Sequence, residues 1–274
     1  MTTRNRLHRS LALAAVGLIT AGVGHAQTWD MDRCDGGTKA ASGYTGCRTA
    51  VGNTSNGTLS ITAYSATSAT SNFTTASTSI HSASSYLGVW SGNENTGSGT
   101  TDSPHHAIDN VTAYGSAYEL VHLQFSKAVD LGTLVATWSH SDGDFQVFRW
   151  NYNAATPNPT ITSFNPNALP GLGAVGGVSN GWQLVDIGDF RSSLTQGISD
   201  TTYFSSHWLV STAFGHNNDG FKLGTIHVNS VCAGSQTAGG GCGPSTSVPV
   251  PATWALVLLA GAGAGVTVSR RRRV

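Results

Sequence analysis

Two short stretches concentrate the side chains best suited to holding a cation. Asp142-Gly143-Asp144 is a tight D-x-D turn, and Asn217-Asn218-Asp219-Gly220 is a second turn rich in oxygen atoms. Calcium takes about six to eight hard oxygens on a backbone that curls round it, and glycine permits that curl. Asp142, Asp144 and Asp219 are therefore the candidate metal ligands, with calcium as the ion and no other cofactor expected. Asp102, Asp109 and Asn110 offer further oxygens. The plain alternative is that Asp, Asn and Gly occupy turns anyway, through hydrogen bonds from side chain to backbone. No complete calcium-loop motif is present.

Other constellations carry less. Gly177-Val178-Ser179-Asn180-Gly181 fits G-x-S-x-G, but a hydrolase elbow needs a strand before its serine and a helix after it. Here a glycine-rich loop precedes Ser179 and the strand-like WQLVDI follows, so Ser179 reads as loop. The histidines form no H-E-x-x-H pair. His105 and His106 are adjacent and on a strand would point to opposite faces. His122 and His227 fall within strand alternation and read as paired or exposed sheet residues. A glycosidase needs two acids about 5–9.5 Å apart in a cleft. Beside its aspartates the body has only Glu94 and Glu119. No catalytic residue is assigned, and a non-enzymatic role is expected. Most tryptophans lie on strand patterns and read as core, Trp150 among them. Trp90, beside the polar GNENTG loop, is the candidate ligand-facing ring.

The elements that must position these residues are strands. TLSITAY (58–64) puts Leu59, Ile61 and Ala63 on one face. YLGVW (86–90), YELVHLQF (118–125), LGTLVATWS (131–139), FQVFRWNY (145–152), WQLVDI (182–187), HWLVSTAF (207–214) and FKLGTIHV (221–228) follow the same style. Turn clusters lie between them, including SDGD, NAATPNPT, GLGAVGGVSNG and GHNNDG. The pattern predicts an all-β chain with a single β-sandwich domain of jelly-roll type over residues 27–230. A Gly/Ser-rich linker with a cysteine pair is expected at 231–247.

Cys34, Cys47, Cys232 and Cys242 are even in number and lack the close pairing of a zinc site. They allow three disulfide connectivities. Two local loops, Cys34–Cys47 and Cys232–Cys242, are the simplest, and a clasp between the two ends of the body stays open.

The ends give an address. Arg4, Arg6 and Arg9, the apolar run 11–23 and the small residues Gly24 and Ala26 form a secretory signal peptide over 1–26. The cut is expected between Ala26 and Gln27, after passage through a secretion translocon. Near the other end Pro249, Val250 and Pro251 precede Trp254 and an apolar run to residue 268, followed by Arg270, Arg271, Arg272 and Arg273. As a helix that run spans about 22 Å. Its flanks and a snorkelling arginine would complete a thin transmembrane span. The positive-inside rule keeps the arginines cytoplasmic and the body outside. Seven of the 14 basic residues lie in these two ends, which hold no Asp or Glu. The body therefore sets all 14 acidic residues against seven basic ones, a formal −7. Such a body does not suit nucleic acid or an anionic membrane surface.

Pro-x-Pro, an apolar helix and a terminal arginine cluster resemble the PEP-CTERM sorting signal of exosortase-processed bacterial surface proteins. Val250 stands where that family carries Glu. Within residues 80–230, YLGV, HAIDN, LVHLQFSKAVDL, WSHSDGDFQVFRW, GWQLV, SSHWLVSTAF and DGFKL are similar, in order, to a family of exosortase-dependent surface proteins. His207 stands where Tyr is commoner there. The resemblance implies an exosortase-type processing enzyme as partner, and an inner-membrane-anchored precursor that reaches the cell surface or extracellular matrix. It also implies association with exopolysaccharide. It implies no activity, since that family is defined by location and sequence. An inert coat or stalk protein and a matrix polysaccharide hydrolase are the alternatives.

Overall fold

In the computed structural model the residues described are 26–35, 44–45, 49–52, 57–81, 86–91, 107–110, 118–140, 142–152, 158–198, 203–216 and 218–243. Nearly all of signal segment 1–26, the whole tail 248–274, Cys47, Glu94, His105 and His106 lie outside them, as do the side-chain surroundings of Cys34. The strands are β1 (Gln27–Asp35), β2 (Tyr44–Thr45), β3 (Thr49–Gly52), β4 (Leu59–Ala66), β5 (Thr74–His81), β6 (Tyr86–Trp90) and β7 (Ile108–Asp109). They continue as β8 (Tyr118–Ser139), β9 (Asp144–Trp150), β10 (Val178–Ser179), β11 (Trp182–Asp189), β12 (Thr195–Gly197), β13 (Ser205–Thr212) and β14 (Gly220–Val231). Only short 3-10 turns accompany them among the described residues, so the chain is all-β as expected. No described helix is long and apolar enough to cross a membrane.

The strands make one hydrogen-bonded network of 14, all of whose pairs are antiparallel. The reason is β8. Two strands expected separately, 118–125 and 131–139, are one 22-residue strand. Its first arm pairs with β4 and β13, and its second with β14 and β12. Exposed Ser126 and Lys127 mark the join, where the register against β13 also shifts. Val121, Leu123 and Phe125 of the first arm and Leu131, Leu134 and Ala136 of the second are buried in one core with Ile61, Val147, Trp208, Leu223 and Ile226. The expected face of β4 is confirmed: Leu59, Ile61 and Ala63 alternate with half-buried neighbours.

A second core lies on the other face of β8, β9, β11 and β13. Leu120, Phe148, Trp150, Trp182, Leu184 and Leu209 are covered there by Phe73, Ile161, Phe164 and Leu169. This explains the two apolar faces of β9, because each of them meets a core. Trp150 is core, as expected.

The segment after β14 departs from the expected linker. Cys232 and Cys242 form a disulfide with Cα atoms 5.5 Å apart. Of the three connectivities, only the one with two local loops contains this pair. The loop it closes is docked on the body. Phe204 N–H donates to Gly240 O at 2.6 Å, Gln236 binds both Ser206 N–H and Phe204 O, and Arg149 donates to Gly239 O. Residues 232–243 therefore belong to the folded body, tied down by a cross-link and a buried arginine despite their Gly/Ser-rich composition. Replacing both Cys232 and Cys242 by Ser is expected to cost about 2–4 kcal/mol, as loop closure of the unfolded chain is lost. Urea denaturation of the variant beside the oxidised wild type measures it, and an unchanged midpoint would refute a structural role.

Candidate metal centre

Two turns meet at one corner of the sheet. The first joins β8 to β9 and carries Asp142 and Asp144; the second joins β13 to β14 and carries His216 and Asp219. Backbone hydrogen bonds hold them together. Gly220 N–H donates to Asp142 O (3.1 Å), His140 N–H to Gly220 O (2.8 Å), and Ala213 N–H to Asp144 O (3.1 Å). Asp142 and Asp219 form a parallel bridge. Between the two acids of the first turn, a side chain on Gly143 would meet Ser139 Oγ, with Arg191 N at 3.2 Å and Phe190 Cβ at 3.3 Å. The D-G-D spacing thus needs its glycine for close approach rather than for a special φ.

The outcome is a compact cluster. One ligand atom each from Asp142, Asp144, His216 and Asp219 lies within 4.8 Å of all the others. Ligands on opposite sides of an ion at about 2.4 Å stand that far apart. The three aspartates singled out from sequence are brought together, and His216 joins them. Its signal was local, a histidine three residues before Asp219 in the same oxygen-rich turn, but a lone histidine carries little weight by itself.

Asp219 forms the closed floor of the cluster and is fully buried. Asn110, following β7, clamps it: Asn110 Nδ2 donates to Asp219 Oδ2 (3.0 Å) and to Ala213 O (3.0 Å), while Asn110 Oδ1 accepts Asp219 N–H (2.9 Å). The other carboxylate oxygen, Oδ1, is buried with no hydrogen-bond partner. Burial pushes the Asp219 carboxyl up to about 6; the Asn110 hydrogen bond opposes this, and repulsion from Asp142 and Asp144 adds to it. Burial, then repulsion from Asp142 and Asp189, also raises Asp144, against the pull of His216. His216 Nδ1 lies 3.2 Å from Asp144 Oδ2 and 3.8 Å from Asp219 Oδ2. Asn218 Nδ2 donates to Asp142 Oδ2 at 3.3 Å. The His216 and Asp144 side is open, with 44% and 31% of those side chains exposed. Three carboxylates crowded with an imidazole repel one another until a cation joins them.

The remaining candidates separate clearly. Trp90 closes β6 with 41% of its surface exposed, whereas Trp150, Trp182 and Trp208 are buried. Glu119 is fully buried and accepts Asp109 N–H, so it does not line a cleft. Ser179 pairs with Trp182 across a two-residue turn at Asn180 (φ 49°) and Gly181 (φ 79°). That is strand–turn–strand, not the strand–turn–helix of a hydrolase elbow. His122 pairs with His207, and His227 with Thr28 Oγ1.

Comparison with family models, curated proteins and solved structures finds no match. The functional reading therefore rests on the geometry of the corner and on the two ends of the chain.

Proposed function

We propose that this is an exported cell-surface or extracellular-matrix protein that contacts exopolysaccharide through a cation-binding corner and does not cleave it. The address comes from the ends of the sequence: a signal peptide cut after Ala26, and an exosortase-type sorting tail built on Pro249, Pro251, Trp254 and the terminal arginines. The folded sheet is read as a jelly-roll-like sandwich, supported by the larger core, to which both arms of β8 contribute side chains. The observation that carries the function is the convergence of Asp142, Asp144 and Asp219 within 4.8 Å, open to solvent on one side. A cation held there can offer its free positions to sugar hydroxyls. Binding is favoured over hydrolysis because Asp219, the acid raised to about 6, has no exposed surface with which to reach a glycosidic oxygen.

The test is binding of the purified, disulfide-intact exported protein to the producing organism's own exopolysaccharide, with and without EDTA. Saturable binding that EDTA abolishes and added divalent cation restores is expected. Polymer shortening would move the reading to a hydrolase. No binding and no shortening in either condition would leave an inert coat protein.

A further inference from the structure

We infer that the corner formed by Asp142, Asp144, His216 and Asp219 is a mixed carboxylate–imidazole site for a borderline divalent cation of the Mn²⁺–Zn²⁺ class, with His216 as a direct ligand, rather than a calcium site. The inference rests on the reading that this cluster holds an ion, and adds which ion and through which atom.

The donor set decides between ions. Calcium prefers hard oxygens, whereas imidazole nitrogen suits zinc, iron and other first-row ions, and manganese also accepts carboxylates. His216 is placed as a ligand would be. Its ring joins the three carboxylates within the 4.8 Å cluster, and its Nδ1 faces Asp144 and Asp219 together. The residues that lead into it are fixed. Gly215 adopts φ 112°. Phe214 packs in the second core against Phe73, Phe148 and Tyr118, and its N–H donates to Gln146 Oε1 at 2.9 Å.

The alternative is that His216 itself supplies the positive charge. One imidazolium would balance one of three carboxylates and could direct its single Nδ1–H to one oxygen. It would leave Asp219 Oδ1, fully buried, still without a partner. An uncompensated buried carboxylate is costly, and a divalent ion bound to that carboxylate removes the cost. The floor is oriented: Asn110 donates to Asp219 Oδ2, the oxygen nearer His216, and Oδ1 is buried with no hydrogen-bond partner. On the open side, the exposed edges of His216 and Asp144 leave positions for water or for a ligand's hydroxyls.

The experiment strips the purified exported protein with EDTA, dialyses it, and titrates Mn²⁺, Zn²⁺ and Ca²⁺ separately by calorimetry. Spin-echo spectroscopy of the Mn²⁺ form then looks for coupling to a ligand ¹⁴N. One ion per chain is expected, with Mn²⁺ or Zn²⁺ bound at least about tenfold more tightly than Ca²⁺, and with ¹⁴N modulation present. His216→Ala should remove the modulation and most of that preference, while Ca²⁺ affinity changes by less than about twofold. Asp219→Asn should lose all three ions. Calcium bound as tightly as manganese and zinc, or a preference and spectrum unaltered in His216→Ala, would overturn the inference while keeping an ion in the corner. Failure of every ion to bind the wild type would overturn the cation reading itself.

Discussion

Asn110→Ala is expected to lower the unfolding free energy by about 3–5 kcal/mol, among the largest effects of any single substitution in this chain. The asparagine is itself buried and its side chain makes three hydrogen bonds, two of them to Asp219. Alanine fills none of these positions. It strands a buried carboxylate oxygen and a backbone N–H in a place without bulk water, and leaves the Ala213 carbonyl only the long hydrogen bond from His216 N–H (3.4 Å). Hydrogen bonds to charged groups contribute about 1.5–3 kcal/mol each, and leaving the charged partner unsatisfied adds to the loss. The Asn110 hydrogen bond also holds the Asp219 carboxyl below where burial alone would put it. Its removal should therefore let Asp219 take up a proton at higher pH and weaken any cation bound at the corner. Guanidinium denaturation in EDTA, followed by the same curve with added Mn²⁺, separates the two effects. A loss under about 1 kcal/mol would mean that Asp219 is solvated and that the corner is not the closed floor described above.

Much of this was legible in the sequence. The alternation of Leu59, Ile61 and Ala63 reported a half-buried strand, and β4 is one. The oxygen-rich turns at Asp142–Asp144 and at Asp219 were visible as turns because Asp, Asn and Gly are what such turns require. Their meeting was not visible. Asn218 and Asp142 are 76 residues apart, and Asn110 and Asp219 are 109 apart. The antiparallel pairings of β14 with β7 and with the second arm of β8, and of β9 with β13, close those gaps. Asn110 sits after a two-residue strand that has no periodicity to detect.

Where the reading failed, composition had masked order. The polar SKAVD between two good strand patterns looked like a break, yet it is where one long strand passes from one set of partners to another. Between the turn clusters NAATPNPT and GLGAVGGVSNG the sequence shows no strand or helix period, yet Ile161, Phe164 and Leu169 from that segment roof the second core. Asn180-Gly181 is a strong short-range hairpin signal and would have placed β10 against β11. A histidine beside an acidic turn had no such rule to lift it above the others, so His216 was seen only in three dimensions.

Acid should weaken the fold through a different pair. His122 on β8 and His207 on β13 lie face to face, with Nε2 and Nδ1 3.0 Å apart and rings 18° from parallel. Trp182 packs near-perpendicular to the His122 ring, and both imidazoles are buried. Burial first, and then repulsion from His207, brings His122 down from 6.5 to about 3. Burial brings His207 down to about 4. Above pH 6.5 both rings are neutral whether the chain is folded or not, and their contribution is fully present. As pH falls below 6.5 the unfolded chain takes up two protons that the folded chain refuses, so stability drops until the native values are reached. Each histidine removes up to about 1.4 kcal/mol per pH unit, so the pair should cost about 3–4 kcal/mol between pH 7 and pH 5. Asp219 works in the opposite direction over part of that range, because its raised carboxyl binds a proton in the folded state that the unfolded state has released above about 3.8. The difference between wild type and His122→Gln, or between wild type and His207→Gln, cancels the aspartate and isolates one imidazole. That difference should shift in favour of the glutamine variant by about 2 kcal/mol on going from pH 7 to pH 5. A difference independent of pH would show that the stacked rings are already open to water and to protons in the folded chain.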